Sequence, residues 1–175
     1  GDRTVKRRTG GFLLAASLLF HAGEARAIAS STQLQNDGAQ HPNFSGEWEL
    51  NREETKLQHP NIAQVLAATL VIDHQDSLFS LFRSYVLAGE EDTLSWSLRP
   101  GGPETVHRSG SHESYDRLFW ASDTLVLVSR IVAPNGVAVD TTRYVLYADG
   151  KGLEARERYC APRYVFYNVW RFSKR

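Results

Sequence analysis

The feature that most constrains the fold is an alternation of apolar and polar side chains with a period of two, which dominates from residue 43 to the C-terminus. In NFSGEWEL, for example, Phe44, Gly46, Trp48 and Leu50 share one phase, and two glutamates stand in the other. A period of two places alternate side chains on opposite faces of a β-strand. No segment longer than about ten residues in this region keeps a helical period, so the sequence predicts an all-β domain.

Turn signals interrupt the alternation about every ten residues. The strongest are Pro134-Asn135-Gly136 and Asp149-Gly150, because these residue types tolerate the positive φ of tight hairpin turns. Roughly nine or ten strands joined in this way form an antiparallel meander, which closes into a barrel or folds as a sandwich. Closure removes the exposed edges of an open sheet. We therefore predict an antiparallel up-and-down barrel of about eight to ten strands, with room for one short helix at 53–57 or 61–66.

The first 27 residues follow the order of a secretory signal peptide. A basic segment precedes the apolar run GFLLAASLLF, and Ala25-Arg26-Ala27 supplies a cleavage site of small residues. The run is about half the length of a membrane-spanning helix, which needs about twenty residues. The alternative, a buried N-terminal helix, leaves the basic residues without a role. We predict a signal peptide at 1–27, a disordered leader at 28–42 and a barrel domain at 43–175, exported to the periplasm or secreted.

The charge balance limits the classes of possible partner, and the cysteine content limits how the fold can be stabilised. Cleavage after Ala27 would remove five basic and two acidic residues, which leaves 15 basic residues against 18 acidic ones. Such a balance argues against nucleic acid as a partner, because neutralising phosphates requires a basic face. We expect a monomer with no integral membrane segment after the signal. The lone cysteine, Cys160, cannot form an internal disulfide, so the core alone has to hold the fold.

The stretch Asn43-Phe44-Ser45-Gly46-Glu47-Trp48 resembles the G-x-W opening of the calycin barrels, which include lipocalins, fatty-acid-binding proteins and avidins. Residues 44–57, 118–127 and 143–159 also resemble small exported lipocalin-like domain proteins of bacteria. The resemblance implies that the first-strand tryptophan plugs one barrel end and that a basic residue of the last strand lies across its indole, a contact stabilised by cation–π attraction. Gly46, Trp48 and Arg171 are the matching residues; the alternative is that Arg171 faces solvent.

Two departures from related patterns bear on the ligand. Nitrobindin-type haem barrels extend the opening as G-x-W-x-G-x-G, but Leu50 and Arg52 stand at the later glycine positions. Fatty-acid-binding proteins hold a carboxylate with an Arg-x-Tyr pair near the C-terminus, and Arg171-Phe172-Ser173 lacks the tyrosine. The motifs therefore do not support binding of haem or of a fatty-acid carboxylate, and we predict no cofactor.

Aromatic side chains are the first candidates for a ligand site inside the barrel. Trp96, Trp120, Tyr144 and Phe166 each share the expected inward phase with an apolar neighbour. Aromatic walls with a few polar groups are typical of small-molecule pockets. The same side chains would also serve to fill a solid core.

Arginines that interrupt apolar strands are the second candidates. An arginine inside a barrel needs a carboxylate or other acceptors, and if unpaired it would indicate an anion-binding group. We select Arg130 for the ligand site together with Trp96, Trp120 and Tyr144. The alternative places all such arginines on the outer face. The arginines are Arg83, Arg130 and Arg143, and the nearby carboxylates are Asp73, Asp140 and Glu157.

Metal and catalytic motifs do not emerge from the sequence. The histidines lack the spacing of a zinc site, and neither a G-x-S-x-G elbow nor a catalytic cysteine context occurs. The predicted function is non-enzymatic binding of a small apolar or amphipathic molecule in the barrel interior. Two alternatives remain: a solid barrel that acts as an extracytoplasmic protein-interaction module, and an enzyme on a calycin scaffold, for which no set of residues argues.

Overall fold

The structure, a computed structural model, describes residues 41–60, 62–87 and 89–175. The predicted signal peptide and nearly all of the predicted leader lie outside these residues. The described residues form eleven β-strands. The strands are β1 (Gly46–Leu50), β2 (Lys56–Leu57), β3 (Ala68–Gln75), β4 (Leu78–Leu87), β5 (Glu90–Leu98), β6 (Thr105–Ser109), β7 (His112–Ala121), β8 (Thr124–Ala133), β9 (Gly136–Tyr147), β10 (Gly152–Ala161) and β11 (Tyr164–Lys174).

The strands form one antiparallel sheet that curls into a nearly closed barrel. Its order is β5-β4-β3-β1-β11-β10-β9-β8-β7-β6, and the two-residue strand β2 adds to β11 outside this path. Leaving out β2, every pair of neighbouring strands in the sheet is also consecutive along the chain, except the pair β1–β11. The β1–β11 pair therefore closes a simple meander. The predicted all-β, antiparallel up-and-down barrel is confirmed, with ten strands in its wall.

The connection between β1 and β3 differs from the prediction of a short helix. Its described residues contain turns at 52–54 and 62–64 and the strand β2, and no helix. The segment nevertheless packs on the barrel, because Val65 is fully buried and Leu57 and Ile62 contact the core. Within the described ranges, no helix is long and apolar enough to cross a membrane.

An apolar core fills one end of the barrel, which we call the core end. The alternation along each strand turns large apolar side chains inward there, and several of them are almost completely shielded from solvent. Burying each such side chain contributes about 1.5–3 kcal/mol to folding. The most buried members are Phe44, Trp48, Phe79, Leu118, Leu125, Leu153 and Phe172. The turns that follow β4, β6, β8 and β10 lie at the opposite end, which we call the rim end.

Trp48 seals the core end. Its indole is fully buried, and its Nε1 donates a hydrogen bond of 3.0 Å to the carbonyl oxygen of Phe44. Lys174 Nζ lies 5.2 Å from the centre of the indole ring. Gly46 has a φ of +146°, and a Cβ at this position would come within 2.7 Å of Lys174 Cε. The glycine thus accepts a backbone conformation that favours glycine and leaves room for the lysine.

The position of Arg171 corrects the predicted tryptophan–arginine contact. In β11, Trp170 and Phe172 point inward, so the period of two turns Arg171 to the outer face. There its guanidinium pairs with Glu154 and lies 4.6 Å from the centre of the Tyr147 ring. The basic residue across Trp48 is Lys174, which is two residues beyond Phe172 and opposite Trp48 in the β1–β11 register.

Candidate functional site

Polar inward-facing side chains occupy the half of the barrel interior nearer the rim end. Antiparallel pairing places Asp116 opposite Ser129, Ser129 opposite Asp140, and Asp140 opposite Tyr159. Because residues directly opposite one another project from the same face, these side chains form one row across β7, β8, β9 and β10. Thr105 on β6 extends the row at one side. A continuous polar strip thus lines this wall.

Arg83 projects into the barrel from the opposite wall. It shares its phase in β4 with Phe79, Leu81 and Tyr85, which are all buried. Its strand is separated from β9 by half of the ten-strand circuit. The guanidinium lies 4.8 Å from the centre of the Tyr85 ring, and Nε is buried with no hydrogen-bond partner among the described residues.

Asp92 lies beside Arg83 on the adjacent strand β5. It stands opposite Tyr85 in the β4–β5 register and is hydrogen-bonded to the Tyr85 side chain. Its Oδ2 is buried, and the described part of the chain supplies no partner for it. Burial and this hydrogen bond raise the pKa of Tyr85 to about 12, so its hydroxyl stays protonated at neutral pH.

Glu157 on β10 is fixed by two donors from β11. The side-chain amide of Asn168 donates a 3.0 Å hydrogen bond to Oε2, and the indole N–H of Trp170 donates a 2.9 Å bond to the same oxygen. Both donors belong to buried residues. Hydrogen bonds to a carboxylate are stronger than those between neutral groups, so this pair holds Glu157 in one orientation.

Asp140 is the second carboxyl group of the cluster with an unpartnered oxygen. Its Oδ1 is buried and has no hydrogen-bond partner in the described residues. Burial, followed by repulsion from Glu157, holds the pKa of Asp140 well above its usual range. Arg83 acts in the opposite direction across the interior, as does a hydrogen bond from the Thr141 backbone, and Asp116 adds a further repulsion. A positively charged partner beside this carboxyl group would therefore lower its pKa and favour its charged form.

Tyrosine hydroxyls and one histidine complete the polar half. Burial, then the neighbouring Tyr164, raises the pKa of Tyr159 to about 12, and burial also raises the pKa of Tyr144. On the paired strands β6 and β7, His107 Nε2 lies 3.6 Å from Asp116 Oδ2, which also accepts a 2.9 Å hydrogen bond from the Ser114 hydroxyl. These groups can hydrogen-bond a polar molecule, and neutral tyrosines add aromatic faces for a cation.

Two of the predicted aromatic ligand residues lie where the apolar core meets this polar half. Trp96 stacks on Phe79 with ring centres 5.4 Å apart, and Tyr144 lies 6.1 Å from the same ring. The charges of Arg83, Asp140 and Glu157 also act on the Tyr144 hydroxyl. Trp120 joins the core side, 6.0 Å from Phe44 and stacked on His41 at 4.1 Å. The ring of Phe79 thus contacts Trp96 and Tyr144 directly. It is linked to Trp120 through Phe44, whose ring centre lies 6.1 Å from that of Phe79.

Arg130 lies away from this group. It is exposed on β8, in the opposite phase from Leu125 and Leu127, and its guanidinium stacks 3.8 Å from the centre of the Tyr115 ring. Arg143 is exposed as well. Of the three arginines considered from the sequence, Arg83 alone points inward. The buried residues of its strand, Leu81 and Tyr85, carried the signal that would have identified it.

Two surface cavities accompany the barrel. One of about 540 Å³ lies on the outer wall, lined by the ion pair of Glu154 and Arg171 among others. The second, of about 310 Å³, lies at the rim end between the β1–β3 connection and the turn after β4. Leu66, which lines it, is 75% exposed. Val86, which also lines it, is exposed in the phase opposite to the inward Tyr85, so the cavity lies on the outer surface. Within the described ranges, no group of three or more potential ligands could hold a metal ion.

Comparisons with known proteins place the fold. No protein-family profile matches the sequence, and no curated protein sequence matches it. Among solved structures, the chain is similar to the REP1-NXSQ fatty acid transporter, with 10% identity, a TM-score of 0.51, and coverage of 73% of this chain and 93% of that one. It is also similar to fatty-acid-binding protein 1 of Echinococcus granulosus, with 15% identity, a TM-score of 0.50, and coverage of 75% and 96%.

A third similar structure is lipid binding protein 8 of Caenorhabditis elegans, with 12% identity, a TM-score of 0.50, and coverage of 75% of this chain and 95% of that one. At these identities the likeness concerns the fold. The chain shares with them the fold of an antiparallel up-and-down β-barrel. These three neighbours are named for fatty-acid or lipid binding, and none of the three is named as a bacterial lipocalin-like protein.

Proposed function

We propose that this protein binds a small amphipathic molecule inside the barrel, with the polar group of the ligand in the half near the rim end. One observation carries the proposal. Arg83 Nε, Asp92 Oδ2 and Asp140 Oδ1 are buried in this half, and the described residues leave each without a hydrogen-bond partner. Buried polar atoms are nearly always satisfied in folded proteins, so such a group marks a place where a ligand or water completes the site.

The apolar part of the ligand would lie against Trp96 and Tyr144, which border the polar half. The core end is already filled by Trp48, Phe79 and their neighbours, so the site is confined to the rim half. The names of the three similar structures support a small hydrophobic ligand, and their fold is shared. We also propose that the chain is exported, as its N-terminal segment predicts; a mature N-terminus that still carries residues 11–20 would contradict this.

Binding can be tested with a neutral amphipath such as decanol, followed by tryptophan fluorescence. Trp96→Leu should weaken binding by about tenfold, because a lost aromatic contact is worth about 1.4 kcal/mol. Phe82→Leu is the matched control, since Phe82 is exposed on the outer face of the neighbouring strand. Native mass spectrometry of protein purified from its own source adds a second test. Absence of both a bound small molecule and decanol binding would contradict the proposal.

A protein-interaction module is the second candidate, and one observation favours it. Val71 and Phe82 are direct neighbours on the outer face of β3 and β4, and both are more than 40% exposed. Exposed apolar patches often mark contacts with other proteins. Phe82→Ser would separate the two functions: it should abolish binding to a protein partner and leave ligand binding unchanged.

A further inference from the structure

We propose that the polar group of the ligand is a cation, of the organic ammonium class, and that Asp140 is its anchor. The inference deepens the proposed function and rests on it. It predicts that the barrel selects against the carboxylate head group of a fatty acid. Three observations support this: the net charge of the side chains in the rim half, the donors there that already have acceptors, and the aromatic rings near Asp140.

The balance of charge inside the rim half is negative. Among the described residues, four carboxyl groups face this space, while the basic groups there are Arg83 and His107, whose Nε2 lies 3.6 Å from Asp116 Oδ2. A ligand carboxylate would add a further negative charge to a partly desolvated site, where like charges repel strongly. A ligand cation would offset the existing excess. The four carboxyl groups are Asp92, Asp116, Asp140 and Glu157.

Several donors that could hold a carboxylate are already occupied, although Arg83 Nε has no partner among the described residues. Asn168 and Trp170 both donate to Glu157, and Ser114 donates to Asp116. Asp92 is likewise hydrogen-bonded to Tyr85. By contrast, two of the three unpartnered buried atoms named above are carboxylate oxygens, which can only accept hydrogen bonds when ionised. The site thus offers acceptors, which match the N–H groups or the diffuse positive charge of an ammonium ion.

The surroundings of Asp140 fit a cation for a second reason. Tyr159 stands directly opposite Asp140 on the neighbouring strand. Its ring stacks with Tyr164 at 6.0 Å, and Tyr164 lies 5.0 Å from Phe166. Aromatic faces beside a carboxylate are a combination that recognises ammonium groups, because the ring face carries negative charge density.

Cation binding also offsets the cost of burying a charge at Asp140. Asp140 is pushed toward its protonated form by burial and by Glu157, and Asp116 adds to this; Arg83 opposes them. The nearby Tyr144 and Tyr159 are neutral near pH 7. An entering ammonium ion stabilises the carboxylate, so the carboxylic acid releases its proton to solvent as the ion pair forms. Charge is conserved: one cation enters and one proton leaves.

The test compares three ligands that share one tail: decylammonium, decanoate and decanol, titrated into the full-length protein by calorimetry below micelle-forming concentrations. Decylammonium should bind about tenfold or more tightly than decanoate, the difference expected for one favourable ion pair. Its binding at neutral pH should release a proton, detected as a heat that varies with the ionisation enthalpy of the buffer. Decanoate binding as tightly as decylammonium would overturn the inference.

Asp140→Asn isolates the anchor. It should weaken decylammonium binding about tenfold and abolish proton release, while the loss of decanol binding should be much smaller. Asp73→Asn is the matched control, because Asp73 is exposed on the outer face of β3, and it should change nothing. A circular dichroism spectrum like that of the parent shows that the variant is folded. Equal losses for decylammonium and decanol would also overturn the role of Asp140.

The outcomes separate this inference from the proposed function. If decanol and decanoate bind but decylammonium does not, the barrel is a binding protein and the inference about charge is wrong. If none of the three binds to the folded parent, both fail together. If Asp73→Asn weakens decylammonium binding as much as Asp140→Asn does, the contact is a general attraction to acidic groups, and the interior anchor is wrong.

Discussion

Lys174 lies over Trp48, with its Nζ 5.2 Å from the centre of the indole ring. The contact joins the last strand to the first across the seam where the barrel closes, since the two residues are partners in the β1–β11 register. Connections along the chain tie the other neighbouring strands of the sheet together. The seam depends on side chains and long-range backbone pairing, which makes it the place where local changes should affect global stability.

Trp48→Ala should lower the free energy of unfolding by about 3–5 kcal/mol, because it empties a fully buried indole site at the end of the core. Urea denaturation followed by circular dichroism measures the change. Lys174→Met should cost only about 0.5–1 kcal/mol, the size of an exposed cation–π contact, and Lys174→Arg should restore it. A loss below about 1 kcal/mol for Trp48→Ala would refute its role as a plug.

Gly46→Ala should destabilise the protein by about 1–3 kcal/mol, because alanine is strained at a φ of +146°. The added Cβ would also displace the end of Lys174 from the indole. In the Lys174→Met background the cost should therefore be smaller, and a double-mutant cycle in urea reports the difference. Gly89→Ala is the control for conformation alone, because nothing lies near its Cβ position at a φ of +84°. Full additivity would contradict the proposed coupling.

The inward face of a strand can be predicted from the sequence in some strands and not in others. The alternation in β1, β3 and β11 was sufficient to predict strands, an inward Trp48 and a closed meander, because one face of each strand is clearly apolar. In β8, both phases are apolar, and Val126 is buried on the outer face as Leu125 is on the inner one. The inward phase of this strand could not be read from composition, so Arg130 was assigned to an interior that it does not enter.

Contacts between distant strands explain what the sequence concealed at the site. Asn168, Trp170 and Glu157 meet only because β10 and β11 pair in one register, and Arg83 approaches Asp140 only because the sheet curls until β4 and β9 face each other. The sequence did name Asp140 and Glu157 as possible partners of an inward arginine. Which arginine they would meet depends on barrel closure, which no local pattern encodes. Lys174 was missed because the resemblance pointed to Arg171, one residue out of phase.

Glu157→Ala should reduce stability by about 2–3 kcal/mol, because it leaves the buried Asn168 amide and the Trp170 indole N–H without an acceptor. Glu157→Gln retains one carbonyl oxygen and should cost less. Chemical denaturation of the two variants gives the comparison. If Glu157→Ala is no less stable than Glu157→Gln, the two hydrogen bonds do not hold this wall of the site in place.

Asp140→Asn should stabilise the ligand-free protein at neutral pH and change its pH dependence. The pKa of Asp140 is raised in the folded state above its unfolded value, so folding favours the protonated form. The stability associated with this group is fully present below the unfolded pKa of about 4, and it is lost as the pH rises through the folded pKa.

The side-chain amide that Asp140→Asn introduces cannot ionise, so the variant avoids this loss. Thermal unfolding measured from pH 3 to pH 8 should show the two proteins converging at the acidic end and separating in favour of Asp140→Asn as the pH rises. Asp73→Asn, on the exposed outer face of β3, should run parallel to the parent. A parent that gains stability relative to Asp140→Asn between pH 4 and pH 8 would show that Arg83 outweighs burial and Glu157, and that the carboxylate is charged before any ligand arrives.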